Sequence, residues 1–241
     1  MLHYLMEKNF SISVIVPFFN EELTIEKSVK SLVDMNVFKE IILVDNCSTD
    51  SSKEIVDLEF GKLENVIFIS ACEKQGKGHC VQKGLTQATS THVVVHDADL
   101  EYNPEDLNDM ISLAIDYPDD LILGSRIIGV KYRENKYFYT KFFNTVFSLY
   151  FSILNLYRVS DISTCYQINS LTKLKEMNLS ETGFALEVEI LSKNLKMGHK
   201  ILEVPIGYCG RTYKEGKKIK ATDAFSIFYK ILKYSKLNFF F

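Results

Sequence analysis

The first 125 residues alternate between short continuous apolar runs and longer stretches in which apolar residues recur every three or four positions. Residues 10–17, 40–44, 65–70, 92–95 and 121–124 read as buried strands. Between them, residues 21–35, a short stretch opened by Ser51-Ser52-Lys53-Glu54, residues 78–88 and residues 105–117 read as helices. Asn103-Pro104-Glu105-Asp106 has the order of a helix start: a capping amide, a proline at the first helical position and acids in the first turn. Strand–helix alternation of this kind predicts an α/β domain, a mostly parallel sheet with helices on both faces.

The second half is less regular. Residues 137–156 read as a helix in which Phe142, Phe143, Val146, Phe147, Tyr150, Phe151 and Leu154 form one stripe. Residues 168–177 fit strand and helix equally. Residues 185–197 read as a helix stopped by Gly198, residues 201–206 as a strand, and residues 222–236 as a final amphipathic helix.

In open parallel sheets ligands bind beyond the carboxyl ends of the strands, and here those ends are rich in polar residues. The first strand runs into Pro17-Phe18-Phe19-Asn20-Glu21-Glu22, the second into Asp45-Asn46-Cys47-Ser48-Thr49-Asp50, the fourth into Asp97-Ala98-Asp99. Asp97 and Asp99 are i and i+2 on an extended end, so both carboxylates can point the same way. Either Mg2+ or Mn2+ resolves their repulsion, with Glu101 as a third oxygen ligand, or the segment is simply an acidic turn. Asn20 and the Asp50-Ser51 pair are equally placed to cap helices. Lys74-Gln75-Gly76-Lys77-Gly78 suits a phosphate or a mobile surface loop, but lacks the spacing of a P-loop, and no Gly-x-Gly-x-x-Gly follows the first strand.

Composition narrows the classes. A net charge of -3 argues against a nucleic-acid binder. Five scattered cysteines (Cys47, Cys72, Cys80, Cys165, Cys209) without a Cys-x-x-Cys pair suggest neither zinc nor a disulfide framework and fit a cytoplasmic setting. No signal peptide is expected at residues 1–9, and the uncharged stretch 142–157 is only 16 residues long and carries five Asn, Ser or Thr residues, too little for a spanning helix. Between Arg211 and Lys236 eight basic residues stand against Glu215 and Asp223, and Lys230, Lys233 and Lys236 interleave with Phe228, Ile231, Leu232 and Leu237. Such a helix either lies on an anionic membrane surface or packs on the core.

Taken in order, Val14-Ile15-Val16-Pro17-Phe18-Phe19-Asn20-Glu21-Glu22, Val44-Asp45-Asn46-Cys47-Ser48-Thr49-Asp50, Gly76-Lys77-Gly78, Asp97-Ala98-Asp99-Leu100-Glu101, Gly124-Ser125-Arg126 and Glu203-Val204-Pro205-Ile206 with Arg211 resemble family 2 glycosyltransferases of the GT-A fold. The branch that transfers mannose or glucose to dolichyl or polyprenyl phosphate is the most similar. The resemblance covers roughly residues 10–220, which implies one GT-A domain over 1–220 followed by the terminal helix at 221–241. It implies that Pro17, Asn20 and Glu22 border the nucleotide, Asp45 bonds the base, Lys77 flanks the nucleotide beside Asp97 and Ala98, and Asp97, Asp99 and Glu101 hold Mg2+ or Mn2+ on the donor diphosphate. Arg126 and Arg211, with Lys217 as a weaker candidate, would take phosphates, and Glu187 would lie on the acceptor side. The chain departs from the family's usual Asp-Asp-Gly-Ser at Asp45-Asn46-Cys47-Ser48, and from its Thr-Ser-Gly-Phe at Ser163-Thr164-Cys165-Tyr166.

The implied reaction is inverting transfer of a hexose from a nucleotide sugar of GDP-mannose or UDP-glucose type. A polyprenyl-phosphate acceptor is already ionised. A saccharide hydroxyl on a surface polysaccharide or lipid-linked saccharide would instead require a general base, for which Asp161 and Glu187 are candidates. Partners would be the nucleotide sugar, the acceptor, and a membrane surface or membrane protein. A scaffold that only binds nucleotide sugar is the reading from another class.

Overall fold

The computed structural model describes residues 9–70, 74–129, 131–134, 138–212 and 223–237. Expectations that involved residues 1–8, Cys72, Tyr137, Lys214, Lys217, Lys218, Lys220 and Thr222 lie outside the described residues.

The alternation expected of the first half is present. Strand β1 is Ile12–Phe18, helix α1 Ile25–Met35, β2 Glu40–Asp45, α2 Ser52–Phe60, β3 Val66–Ser70, α3 Lys77–Gln87 and β4 His92–Val95. A 3-10 turn at Pro104–Asp106 leads into α4, Leu107–Asp116, and β5 is Leu121–Ser125. The side chain of Asn103 accepts from Glu105 N at 3.2 Å, as its position before Pro104 predicts. The capping box expected at Ser51 does not form: Ser51 makes no side-chain cap, and Asp50 Oδ1 takes the Ser52 amide at 3.0 Å instead. Helix α1 starts later than expected because Asn20 turns left-handed (φ 51) and the following turn is used elsewhere, as described below.

In the second half, β6 is Arg133–Glu134, α5 Phe138–Asn155, β7 Gln167–Ser170, α6 Leu171–Glu176, α7 Leu186–Lys196, β8 Ile201–Pro205, β9 Tyr208–Cys209 and α8 Asp223–Tyr234. The segment that fitted strand and helix equally is both, β7 followed at once by α6. Its pattern was mixed because Gln167 and Asn169 are polar yet buried, Asn169 accepting from Asn194 Nδ2 at 2.9 Å.

Seven strands form one sheet in the order β3-β2-β1-β4-β7-β5-β8. All neighbours pair in parallel except β7, which runs antiparallel between β4 and β5. Period-two alternation divides the core between the two faces of the sheet. Ile12, Val14 and Val16 of β1 meet α1, α2 and α4, while Ile15 meets α3 and the layer of α5 to α8. Burying each such side chain contributes roughly 1.5–3 kcal/mol. Helix α3 lies so close to β1 that a Cβ on Gly84 would sit 2.6 Å from the Ile15 Cγ2, which is why a helix interior carries glycine there.

The aromatic stripe expected on α5 is not one face. Phe147 and Phe151 are buried, whereas Phe142, Phe143 and Val146 face solvent. Helix α8 packs on the core through Ile231 and Tyr234. Among the described residues no helix is long and apolar enough to cross a membrane.

Candidate active site

Strand order reverses between β1 and β4, and the loops after β1, β2 and β4 meet above this switch point. Pro17 is buried in β1 beside Val44 of β2, so it shapes the floor. Asn20 and Glu22 act on their neighbours. The Asn20 amide donates to Ser48 Oγ at 3.0 Å, its Oδ1 accepts from Thr49 N at 2.8 Å, and Glu22 Oε2 accepts from Ser51 N at 3.1 Å. Asp50 Oδ2 in return takes the Glu22 amide at 3.0 Å. Asn20 is thus turned from capping to lashing the β1 loop to the β2 loop, while Asp50 does both, one oxygen on the Ser52 amide at the start of α2 and the other on the Glu22 amide.

Asp45 is buried at the end of β2. Its Oδ1 accepts from Ser48 N at 2.8 Å and its Oδ2 from Ser70 Oγ at 3.4 Å, which fixes the turn. Within that turn Cys47 adopts φ 67, the conformation glycine takes most easily, at the position where the resembled family usually has glycine. Asn46 has a role the sequence did not show. Its Oδ1 accepts from Gln75 N at 3.1 Å and Gly76 N at 3.3 Å, tethering the loop that carries Lys77. That loop needs its glycines: Cβ atoms on Gly76 and Gly78 would lie 2.5 Å from Thr182 O and 2.4 Å from Glu181 O.

The acidic segment after β4 keeps its alternation. His96 and Ala98 are buried, while Asp97 and Asp99 emerge half-buried on the open side. Lys77 Nζ meets Asp97 Oδ1 at 2.8 Å and Oδ2 at 3.0 Å, and meets Glu187 Oε1 at 2.8 Å. Burial opposes the charge on Asp97, but the Lys77 ammonium outweighs it and holds the carboxyl below its usual range. Asp99 behaves oppositely. Burial, together with the negative charges of Asp97 and Glu101, pushes its carboxyl up to about 7, against the partial relief of Arg211.

Arg211 comes from beyond β9. Its Nη1 and Nη2 donate to the two carboxylate oxygens of Glu21 at 2.9 and 3.2 Å, and Nη2 also reaches Asp99 Oδ2 at 3.1 Å. Glu21 is a site residue that sequence reasoning passed over; its partner lies 190 residues away. Glu101 faces the same segment, accepting from Tyr208 OH and from Arg211 N, both at 2.7 Å.

Arg126 is placed differently from expectation. Its Nε and Nη2 hold the two oxygens of Asp161 at 2.7 Å each, and Nη1 donates to Tyr102 OH at 3.0 Å. Asn144 of α5 donates to Asp161 Oδ1 at 2.8 Å. Asp161 is fully buried. Burial resists its charge, yet Arg126 overrides that and lowers its pKa, so it stays an ionised partner and not a base. Glu187 is also buried, and among the described residues its Oε2 has no hydrogen-bond partner. His96 is pushed down to about 4 by burial and sits neutral between Ser28 Oγ and Tyr166 OH.

The carboxylates fit a divalent cation by their chemistry. Hard oxygens from Asp97 and Asp99 lie on the open side, and the raised Asp99 marks an excess of negative charge that a cation would remove. Among the described residues, however, no three His, Cys, Asp or Glu side chains converge to hold an ion alone. Glu101, expected as the third ligand, is turned to Tyr208 and Arg211. Two carboxylates with the remaining positions filled by water and substrate phosphates is an ordinary Mg2+ arrangement.

Residues 13–177 match the family described as glycosyl transferase family 2. The chain belongs to that family. This family 2 glycosyltransferase is 30% identical to the UDP-N-acetylglucosamine–dolichyl-phosphate N-acetylglucosaminyltransferase of Methanococcus voltae, over 92% of this chain and 94% of that one. It is 31% identical to the undecaprenyl-phosphate 4-deoxy-4-formamido-L-arabinose transferase of Proteus mirabilis, over 50% of this chain and 38% of that one. Its GT-A fold superposes on glucosyl-3-phosphoglycerate synthase of Mycobacterium tuberculosis. The structure with Mn2+, UDP-glucose and phosphoglyceric acid gives a TM-score of 0.74 at 17% identity, covering 97% of this chain and 83% of that one. The structure with Mg2+ and UDP gives 0.73 at 18% identity, covering 98% and 83%.

Proposed function

We propose that this glycosyltransferase uses Mg2+ or Mn2+ and transfers a hexose, with inversion, from a nucleotide sugar to a polyprenyl or dolichyl phosphate at the cytoplasmic side of a membrane. The observation that carries the reading is the carboxylate pair Asp97 and Asp99 at the switch point, one held ionised by Lys77 and the other pushed up to about 7 beside Arg211. The lipid acceptor is supported by the Methanococcus relative, whose name specifies dolichyl phosphate and which this chain matches over nearly its whole length.

A cation bound there supplies Lewis-acid stabilisation to the departing diphosphate. The protein's own groups do the rest. Asp97 and Asp99 provide the oxygens. Lys77 and Arg211, which neutralise those carboxylates in the free protein, are within reach of any phosphate that arrives between them. Asn46 and the paired β1 and β2 loops hold the nucleotide side, with Pro17, Asn20, Glu22 and Asp45 forming its frame. Arg126, fixed by Asp161, faces the acceptor side as a buried positive charge. Residues 1–220 form the catalytic domain in this reading, and the terminal helix packs against it.

A hydroxyl acceptor is the second reading. The uncommitted Glu187 Oε2 favours it, because a hydroxyl needs a base and Asp161 is spent on Arg126.

The test is release of nucleoside diphosphate by purified protein with Mn2+, across GDP-mannose, UDP-glucose and UDP-N-acetylglucosamine, with and without a short polyprenyl phosphate. Release that requires both metal and lipid phosphate and vanishes in Asp99→Ala supports the proposal. Release stimulated by a saccharide and not by lipid phosphate moves the assignment to the hydroxyl acceptor, and donor binding without release under any acceptor leaves a scaffold that only binds nucleotide sugar.

A further inference from the structure

Glu187, which holds Lys77, also lines a cavity between the sheet and helices α3 and α7. The cavity leaves about 20 Å3 open to the centre of a water molecule. Its walls are mostly apolar: Val81 and Leu85 come from α3, Val93 and Val95 from β4, Leu186 and Ile190 from α7. Gln167 and Asn169 of β7 complete the lining with Glu187, and all three are more than nine-tenths buried.

Two oxygens on these walls are unpaired. Among the described residues Gln167 Oε1 and Glu187 Oε2 are buried and have no hydrogen-bond partner. The other end of the Gln167 amide fixes its orientation. Its Nε2 donates to Thr164 O at 3.3 Å and Glu187 O at 3.5 Å, two carbonyls that an amide oxygen could not serve. Oε1 is the end left for the cavity. Asn169 Oδ1 accepts from Asn194 Nδ2 at 2.9 Å, which leaves the Asn169 amide nitrogen to donate.

A void with apolar walls alone stays dry, whereas a buried water makes about three hydrogen bonds to groups that would otherwise lack partners. Two acceptors and one donor meet that need, and the volume admits a single molecule. We propose that one water molecule is a fixed part of this protein at that place, donating its hydrogens to Gln167 Oε1 and Glu187 Oε2, and that Gln167 is thereby a positioning residue for Lys77. A cation would also suit two acceptors, but the Lys77 ammonium already faces the Glu187 carboxylate at 2.8 Å.

The water gives each Glu187 oxygen one task. Oε1 stays on Lys77, and Oε2 is pinned from behind, so the carboxylate cannot swing away from the lysine. Lys77 is then set between two anchored carboxylates, Glu187 and Asp97, with its direction fixed before any phosphate arrives. Because Oε2 is closed off from solvent, Glu187 does not face an acceptor hydroxyl, which favours the lipid-phosphate acceptor over the hydroxyl. The inference rests on the proposed function only for the use made of Lys77; the water itself does not depend on it.

The test has two parts. A crystal structure of the full chain without donor or metal should show a density peak in the cavity about 2.7–3.0 Å from both Gln167 Oε1 and Glu187 Oε2. Failure to find that peak overturns the proposal, as does a direct contact between the two oxygens, which would mean a shared proton in place of water. This part reads the cavity alone, so its outcome is separate from that of the proposed function. In the second part, Gln167→Met should remove the peak and weaken the binding of Mn2+ with UDP about tenfold. Added to Glu187→Ala, the same substitution should change that binding no further, because the side chain through which Gln167 acts is gone. An equal loss in both backgrounds would assign Gln167 a structural role only and overturn the positioning claim.

Discussion

Replacing Asp99 with asparagine should make the metal-free protein more stable while abolishing its response to donor and cation. Asp99 is raised from 3.8 to about 7, by burial first and then by the charges of Asp97 and Glu101. A difference of about three pH units corresponds to about 4 kcal/mol between the neutral and charged forms in the folded protein. That figure already includes the help Asp99 gets from Arg211. Because Asp97 and Asp99 share one field, part of the gain is returned when only one is neutralised, and a stabilisation of about 2–4 kcal/mol is expected. The sign follows from proton linkage. The folded protein holds the Asp99 proton more tightly than the unfolded chain does, so this group's contribution is fully present below 3.8 and is lost as pH rises through about 7. The advantage of asparagine should therefore be small near pH ~4 and complete by pH ~8. Urea unfolding in the presence of a chelator, for wild type and Asp99→Asn across that range, measures it directly. Mn2+ with UDP should then raise the stability of the wild type but not of the variant. If Asp99→Asn costs more than about 1 kcal/mol in metal-free protein at pH ~8, negative charge is not crowded at this site and the argument for a cation loses its basis.

Three further outcomes follow from other parts of the molecule. Asp161→Ala strands the buried Arg126 guanidinium and removes an acceptor from Asn144, so it should cost about 3–5 kcal/mol in denaturant unfolding, with partial recovery when Arg126→Met is added; equal losses in both would show that the ion pair is not the cause. Gly78→Ala places a methyl 2.4 Å from a backbone oxygen and 2.7 Å from a backbone carbon, neither of which can rotate away, so the start of α3 must shift and carry Lys77 with it. Donor turnover should drop in that variant, with stability lowered by about 1–3 kcal/mol, and unchanged kinetics would show that the loop tolerates displacement. Glu181 ties α8 to the body of the protein. Burial opposes its charge, but hydrogen bonds from Lys230 and Tyr234 and the lysine charges hold the carboxyl below 4.5. Its contribution is present above 4.5 and is lost as pH falls through the lower folded value, so amide exchange in α8 should quicken on acidification, and Glu181→Gln should remove that pH dependence.

The apolar blocks of the first half were enough to locate β1 to β5 and the helices between them, because each element buries a face and the period of its pattern reports which kind it is. The clusters at the strand ends were legible for the same reason: in a parallel sheet the position of a residue after its strand fixes the edge on which it stands. Asp97 and Asp99 could be named because they are neighbours in sequence. What chemistry each has could not, because that depends on partners far along the chain. Lys77, which Glu187 also holds, neutralises one, Arg211 comes from 112 residues away to the other, and Glu21 becomes part of the site only through Arg211. The antiparallel strand β7 escaped a pattern reading because its polar residues are buried, and polarity signals solvent only where the other strands leave it exposed. That Asp161 grips Arg126 was not legible in the sequence either, since a guanidinium binds whichever anion the fold presents. The same holds for the aromatic row of α5. Sequence determined that the helix is rich in aromatic and aliphatic residues, and only the packing of Phe147 and Phe151 decided which of them face the core and which face solvent.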